Sequence, residues 1–256
     1  MDRCLIVSHF HWDREWYRTF EAYRARLADA VDRVLELLEA DAGYHFLLDG
    51  QTVVLEDYLA VRPQRRAALE SALRAGRLGT GPWYVQPDSL LPSGEALVRN
   101  LLHGMRLAAA FGSRPSRIAY VPDSFGHPEQ FPQLFAGFGL DTFVYWRGNG
   151  SELDALGGRY RWQAPDGSVV SALLLRDGYF NAACLPDDVE QAAARLAAYL
   201  EKAEREGGAA LLMNGFDHML PDSHVGAVAE ALARLIEAPV QRGLLDDLAV
   251  VAPDGL

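Results

Sequence analysis

The stretch Cys4-Leu5-Ile6-Val7-Ser8-His9-Phe10-His11-Trp12-Asp13 opens on four contiguous apolar residues and closes on polar ones. An unbroken apolar run of that length reads as a strand buried on both faces, the habit of a parallel sheet covered by helices. Past Val7 the pattern changes to alternation. In an extended strand end alternate residues share a face, so His9, His11 and Asp13 are expected to point into one cavity.

Beyond this strand the chain reads as a sheet laced with helices. Phe20, Tyr23, Leu27, Val31, Val34 and Leu38 recur at three- and four-residue steps, one face of a long helix. Residues 44–48 form a second apolar run, ended by Asp49-Gly50, and further strands are expected at 118–121, 142–145 and 209–213. Between them, Pro63 suits the first turn of a helix running to residue 75 and Gly76 its end. Ser93 suits the N-cap of a helix carrying Leu97, Leu101, Met105 and Ala108. Pro186 and Asp187 open another through residue 203. Residues 160–175 alternate, turn at Pro165-Asp166-Gly167 and alternate again, a β-hairpin signature. Strand–helix alternation predicts an α/β fold, a mostly parallel sheet or an irregular (β/α) barrel with surrounding helices and a β-hairpin insertion. No repeat or Pro/Gly-rich linker divides the chain, so residues 1–256 read as a single α/β domain.

The 256 residues are 50% hydrophobic and 23% charged, a globular composition long enough to bury a large core. A net charge of −11 argues against nucleic-acid or anionic-membrane partners, which need a basic face. The only cysteines are Cys4 and Cys184, which points to a reducing compartment rather than a disulfide framework. The first apolar run is too short for a signal peptide or a membrane span. A cytoplasmic location is expected.

In sheets of this kind the chemistry collects at the carboxyl ends of the strands, and polar residues fall there. His9, His11 and Asp13 follow the first strand, Asp49 the second, Asp123 the strand ending at Val121, Arg147 the one ending at Tyr145, and Asp217 the one ending at Met213. Two imidazoles and a carboxylate suit zinc or another borderline divalent ion, although a His-x-His triplet alone equally fits two hydrogen-bonded histidines. Asp123 in Pro122-Asp123-Ser124-Phe125-Gly126-His127 suits a metal ligand, a nucleophile or a helix N-cap. In Met213-Asn214-Gly215-Phe216-Asp217-His218, Asp217 offers a second carboxylate and Asn214 a partner for a sugar hydroxyl, with Asn214-Gly215 also a turn dipeptide. Trp12, Trp16, Trp83, Tyr84 and Trp146 lie beside these clusters, flat faces of the kind a sugar site uses and a core also uses.

Taken in order, these strings resemble glycoside hydrolase family 38, the α-mannosidase family, in the manner of its bacterial members. The matching segments are His9-Phe10-His11-Trp12-Asp13-Arg14-Glu15-Trp16-Tyr17, Leu48-Asp49-Gly50-Gln51 and Gly81-Pro82-Trp83-Tyr84-Val85-Gln86-Pro87-Asp88. They continue through Ser93-Gly94-Glu95-Ala96-Leu97-Val98-Arg99-Asn100-Leu101, Val121-Pro122-Asp123-Ser124-Phe125-Gly126-His127, Tyr145-Trp146-Arg147-Gly148 and Leu212-Met213-Asn214-Gly215-Phe216-Asp217-His218. The resemblance implies an N-terminal catalytic domain with one zinc ion at the floor of the sugar site, held by His11, Asp13 and Asp123. It implies retaining hydrolysis of α-mannosides or small mannosyl compounds, with Asp123 as nucleophile. Trp16 matches the aromatic platform under the sugar and Arg147 an arginine near the nucleophile; Phe125 and Asn214 are carried as substrate-binding residues. Asp217 is taken as the acid/base, His9 as a residue orienting a ligand, and Asp49 and Asp88 as further candidates for sugar contacts.

The family's chains are much longer, and its fourth zinc ligand is a histidine in a His-His-Asp-like string that this sequence does not contain. The metal is then expected to be three-coordinate plus water, completed by His218, or incomplete. A partner chain or a second copy is expected over the face where the downstream domains would pack. A metal-dependent deacetylase or amidohydrolase, and a truncated sugar- or metal-binding remnant without activity, stand as the alternatives.

Overall fold

The computed structural model describes residues 4–114, 116–151, 158–205 and 210–248. Ala209, the first residue of one expected strand, and the tail 249–256 lie outside them.

Nine strands and seven helices are described. The strands are β1 (Cys4–Phe10), β2 (Phe46–Leu48), β3 (Leu78–Gly79), β4 (Ile118–Val121), β5 (Thr142–Tyr145), β6 (Arg159–Gln163), β7 (Val169–Leu174), β8 (Leu211–Asn214) and β9 (Val240–Arg242). The helices are α1 (Phe20–Ala40), α2 (Val53–Val61), α3 (Arg66–Arg74), α4 (Gly94–Ala110), α5 (Phe131–Gly137), α6 (Val189–Arg205) and α7 (Val225–Ile236). They build two sheets, one in the order β3-β2-β1-β8 with β9 also paired to β1, the other in the order β4-β5-β7-β6. Every pairing is parallel except the β6–β7 hairpin. The expected α/β class with a mostly parallel, curled sheet is what forms. The hairpin is present too, and its second strand continues the sheet by pairing with β5.

β1 shows why. All seven of its residues are buried. Leu5 and Val7 point inward and meet Leu47, Ile118, Tyr120, Val144, Leu173, Leu211 and Met213, a core fed by both sheets. Cys4, Ile6 and Phe10 point outward into the helical layer of Leu27, Val31, Val34 and Leu38. A strand that buries both faces needs an unbroken apolar run. The expected helical face of α1 is the buried one, with Phe20 only half-buried at its start. Ser93 caps α4, its hydroxyl accepting the Ala96 amide at 3.3 Å. Pro63 opens a short 3-10 turn ahead of α3, and Gly76 closes that helix with φ +69. The elements β3, β9, α2, α5 and α7 come from the structure alone. No described helix is long and apolar enough to cross a membrane.

Candidate active site

The carboxyl ends of β1, β3, β4, β5, β7 and β8 surround a cavity of about 490 Å³. The loop after β1 contributes His11, Asp13, Glu15 and Trp16; the segment beyond β3, Gln86 and Asp88; the loop after β4, Asp123 and Phe125; that after β5, Trp146 and Arg147. Tyr179 and Phe180 follow β7, and Phe216 and Asp217 follow β8. Two of these loops touch closely. A Cβ on Gly148, whose φ is +93, would collide with the Gly126 backbone, so only glycine lets the Arg147 turn lie against the Asp123 turn.

His11 is 4% exposed and fixed from below. Its Nδ1 donates to Oδ2 of Asp49 at 3.0 Å, and its Nε2 lies 3.5 Å from Oδ1 of Asp13. Asp49 is 0% exposed. Besides the histidine, its Oδ2 accepts the Trp12 amide at 3.1 Å and Gln51 Nε2 at 3.0 Å, while Oδ1 accepts the Gly50 amide at 2.8 Å and Gln86 Nε2 at 3.2 Å. Burial works against the charged form of both partners, yet their mutual attraction and hydrogen bonds outweigh it. The His11 pKa stands well above its ordinary value and that of Asp49 below its own.

Asp49 therefore cannot touch a sugar, contrary to the expectation drawn from its strand-end position. It does what was expected of His9, orienting the His11 ring. His9 lies one residue pair deeper on the same face as His11 and does not line the cavity. Its Nε2 donates to the Tyr179 carbonyl at 2.7 Å, and burial pulls its pKa down to about 4. Alternation is right about the shared face, and depth along the strand separates the two histidines.

Asp13 hangs between two imidazoles. Its backbone amide donates to Nε2 of His218 at 3.0 Å, and its Oδ2 lies 3.4 Å from the same nitrogen. His218 is 4% exposed and stacks on Tyr23 with centroids 4.3 Å apart. With Nε2 accepting that amide, His218 anchors the Asp13 backbone, and it does not line the cavity. Burial lowers its pKa, consistent with a neutral ring.

Across the cavity Arg147 donates from Nη2 to Oδ1 of Asp123. The guanidinium sits 4.3 Å from the centroid of the Phe125 ring and 4.4 Å from that of Trp146, a cation–π sandwich that orients its fork. Burial raises the Asp123 pKa, with His11 and Arg147 pulling the other way and Asp217 adding to the rise. Asp217 accepts the Tyr179 hydroxyl at 2.7 Å. Asn214 does not reach the cavity. It is 4% exposed, its Oδ1 accepting the Ser8 hydroxyl at 3.1 Å and its Nδ2 donating to Ala182 at 3.0 Å, because β8 runs on to this residue and holds it in the ladder opposite Ser8. Trp16 and Phe125, 67% and 62% exposed, stand at the mouth, and exposed Asp88 joins them.

The donor chemistry of one imidazole nitrogen and carboxylate oxygens fits a divalent cation, and Asp49 behind His11 is the partner such a ligand takes. Among the described residues no three His, Cys, Asp or Glu side chains converge closely enough to ring an ion. His11 and Asp13 approach each other, while Asp123 shares their cavity with its carboxylate engaged by Arg147.

Comparison with known proteins meets this geometry. The family model for the glycosyl hydrolases family 38 N-terminal domain matches residues 3–244. A putative mannosylglycerate hydrolase from Halalkalibacterium halodurans is 41% identical over 226 residues, 83% of this chain and 25% of the relative. Mouse alpha-mannosidase 2C1 is 29% identical over 64% of this chain and 16% of its own. The crystal structure of an alpha-mannosidase from Enterococcus faecalis V583 superposes with a TM-score of 0.90 at 35% identity, covering 96% of this chain and 28% of that one. The chain spans about a quarter of the length of the first and third of these. With nearly its whole length matched, the chain belongs to glycosyl hydrolase family 38, as that family's N-terminal domain.

Proposed function

We propose that this domain carries the catalytic centre of a zinc-dependent, retaining hydrolase of α-mannosides, with Asp123 as nucleophile and Asp217 as acid/base. One observation carries the reading: two carboxylates from different strand ends, Asp123 after β4 and Asp217 after β8, line a single cavity beside His11 and Asp13. A retaining glycosidase needs such a pair roughly 5–5.5 Å apart.

In the first step Asp123 forms a bond from its carboxylate to the anomeric carbon as the bond to the leaving oxygen breaks, and Asp217 gives that oxygen its proton. In the second, Asp217 takes a proton from water, whose oxygen displaces Asp123 and restores both groups. Arg147 holds one oxygen of Asp123 and leaves the other to attack. Trp16, Phe125 and Phe216 offer apolar faces to the sugar. His11, Asp13 and Asp123 would hold zinc, which when bound supplies a positive charge that fixes ring hydroxyls and favours a distorted ring. The names of the relatives support a mannoside or a small mannosyl compound as substrate.

The activity is proposed for the domain together with what completes its cavity. Trp16, Phe125 and Phe216, exposed and lining the cavity, support packing of further polypeptide, a partner chain or a second copy, at the mouth. Two free cysteines support a reducing, cytoplasmic setting.

The test is metal content and nitrophenol release from nitrophenyl α-mannoside, compared with Asp123→Asn, with a fluorosugar to trap the covalent intermediate. The label is expected on Asp123 and the variant inactive. Equal activity of the two proteins, or a label elsewhere, sinks the mechanism.

A further inference from the structure

One ring gathers contacts from around the whole cavity, and neither the family strings nor the carboxylate chemistry uses it. Tyr179 follows β7, just beyond the turn in which the Gly178 amide donates to the Leu175 carbonyl at 2.9 Å. It is 1% exposed and still lines the cavity. His9, His11, Trp146 and Phe180 meet its ring edge-on, with centroids 6.1, 5.5, 5.4 and 5.3 Å away, and Phe216 stacks on it at 6.3 Å. So many orthogonal contacts leave the ring one orientation.

Its backbone is held as firmly. The carbonyl accepts Nε2–H of His9 at 2.7 Å, from a ring buried on β1. Two residues on, Asn181 accepts the Met213 amide at 2.7 Å and donates to the Leu211 carbonyl at 3.0 Å. These bonds rivet the segment to β8, the strand that delivers Asp217. At the end of this support the Tyr179 hydroxyl donates to Oδ1 of Asp217 at 2.7 Å.

We infer that Tyr179, seated on His9, is the positioning residue of Asp217, fixing one carboxyl oxygen so that the other delivers the proton to the leaving group. The inference rests on the reading of Asp217 as acid/base. In the step it serves, the proton leaves the free oxygen of Asp217 for the glycosidic oxygen while the bond to that oxygen breaks and the bond to Asp123 forms. Tyr179 keeps its own proton and donates the same hydrogen bond before and after. His9 thereby acquires a role at the acid/base end of the cavity, through one backbone carbonyl and one ring.

A positioning role for proton delivery has a signature that packing lacks. A leaving group that departs as a stable anion needs little protonation, whereas an alkoxide needs all of it. The experiment compares the zinc-supplemented full chain with Tyr179→Phe and His9→Leu, each checked for an unchanged circular dichroism spectrum. The substrates are methyl, 4-nitrophenyl and 2,4-dinitrophenyl α-mannoside. For Tyr179→Phe, kcat/KM on the methyl mannoside is expected to fall about 10–100-fold and on the dinitrophenyl mannoside less than about threefold. His9→Leu, which removes the donor to the Tyr179 carbonyl, is expected to show the same slope against leaving-group acidity, and it supplies the readout should Tyr179→Phe fail to fold. A loss equal on all three substrates overturns the inference and leaves the proposed function standing. A wild-type chain that hydrolyses none of them, with Asp123→Asn no different, removes both.

Discussion

Asp49→Asn is the sharpest perturbation available, because the side chain keeps its shape and its tolerance of the left-handed backbone at φ 55. What changes is the acceptor count. Oδ2 takes hydrogen bonds from His11, Trp12 and Gln51, and Oδ1 from Gly50 and Gln86. An amide turns its NH2 toward one of these sets, and the cheaper choice confronts the two donors on Oδ1. Two hydrogen bonds to a charged acceptor, each worth about 1.5–3 kcal/mol, are then lost in a fully buried position. Relief from burying a carboxylate offsets part of this, leaving an expected destabilisation of about 3 kcal/mol. For a chain of this size that is a fall in Tm of roughly 6–12 °C. The assay is urea and thermal unfolding of the chelator-treated chain, with exposed Asp88→Asn as reference, expected within about 0.5 kcal/mol of wild type. The pH dependence has a definite sign. Asp49 has a depressed pKa, so its contribution is present above the ordinary carboxylate range and is lost as pH falls through its folded value. His11 has a raised one, so its contribution is full below about pH 6.5 and is lost as pH rises through the raised value. The advantage of wild type over the variant is therefore widest between about pH 4 and pH 6.5. A penalty below about 1 kcal/mol, or one flat with pH, would refute the account of Asp49 as an ionised keystone beneath His11.

The anchoring of Asp13 is checked by His218→Phe, which keeps the stack on Tyr23 but removes the acceptor. Zinc affinity measured by competition with a chelator is expected to fall about 10–100-fold, and an unchanged affinity refutes the anchor. Asn214→Ala removes a buried amide bonded to Ser8 and Ala182. It is expected to cost about 1–3 kcal/mol in unfolding free energy with KM for a mannoside unmoved, whereas a raised KM in a fully folded variant restores the sugar-contact role. Gly104 and Gly94 form a matched pair on α4. A Cβ at Gly104 would collide with the backbone of Trp83, Pro82 and Tyr84, while one at Gly94 meets nothing within 4 Å. Gly104→Ala is expected to destabilise by about 3 kcal/mol, and Gly94→Ala to stabilise by about 0.5 kcal/mol, both read from the urea midpoint.

Much of this was legible in the amino-acid order because it is local. The apolar run at Cys4 and the polar residues two apart beyond it specify a strand and the face of its end. Ser93 and Gly76 mark helix ends by their own chemistry. What was not legible depends on partners distant in the chain. Asp49 reaches His11 only because β2 lies beside β1 in a register that pairs Phe10 with Leu48, and no spacing within residues 44–51 encodes that. Asn214 was misplaced because the strand runs one residue farther than its apolar run, putting the amide in the ladder. Tyr179 carries no motif. A hydroxylated aromatic just past the end of an inward strand was the available signal, and it applies to every such strand. β3 and β9, with two and three residues, are too short for any periodicity to register and exist through their pairing alone.

Among the described residues the two sheets share a core but no backbone ladder. His11, Asp13 and Asp217 ride on one of them, and Asp123, Arg147 and Tyr179 on the other. The separation of Asp123 and Asp217 is therefore set by how thickly Leu5, Val7, Tyr120, Val144 and Met213 fill the space between the sheets. Side-chain volume between the sheets acts as the spacer that gauges the cavity at their carboxyl ends. A methylene gained or lost there would be felt as a change in reach between two carboxyl groups.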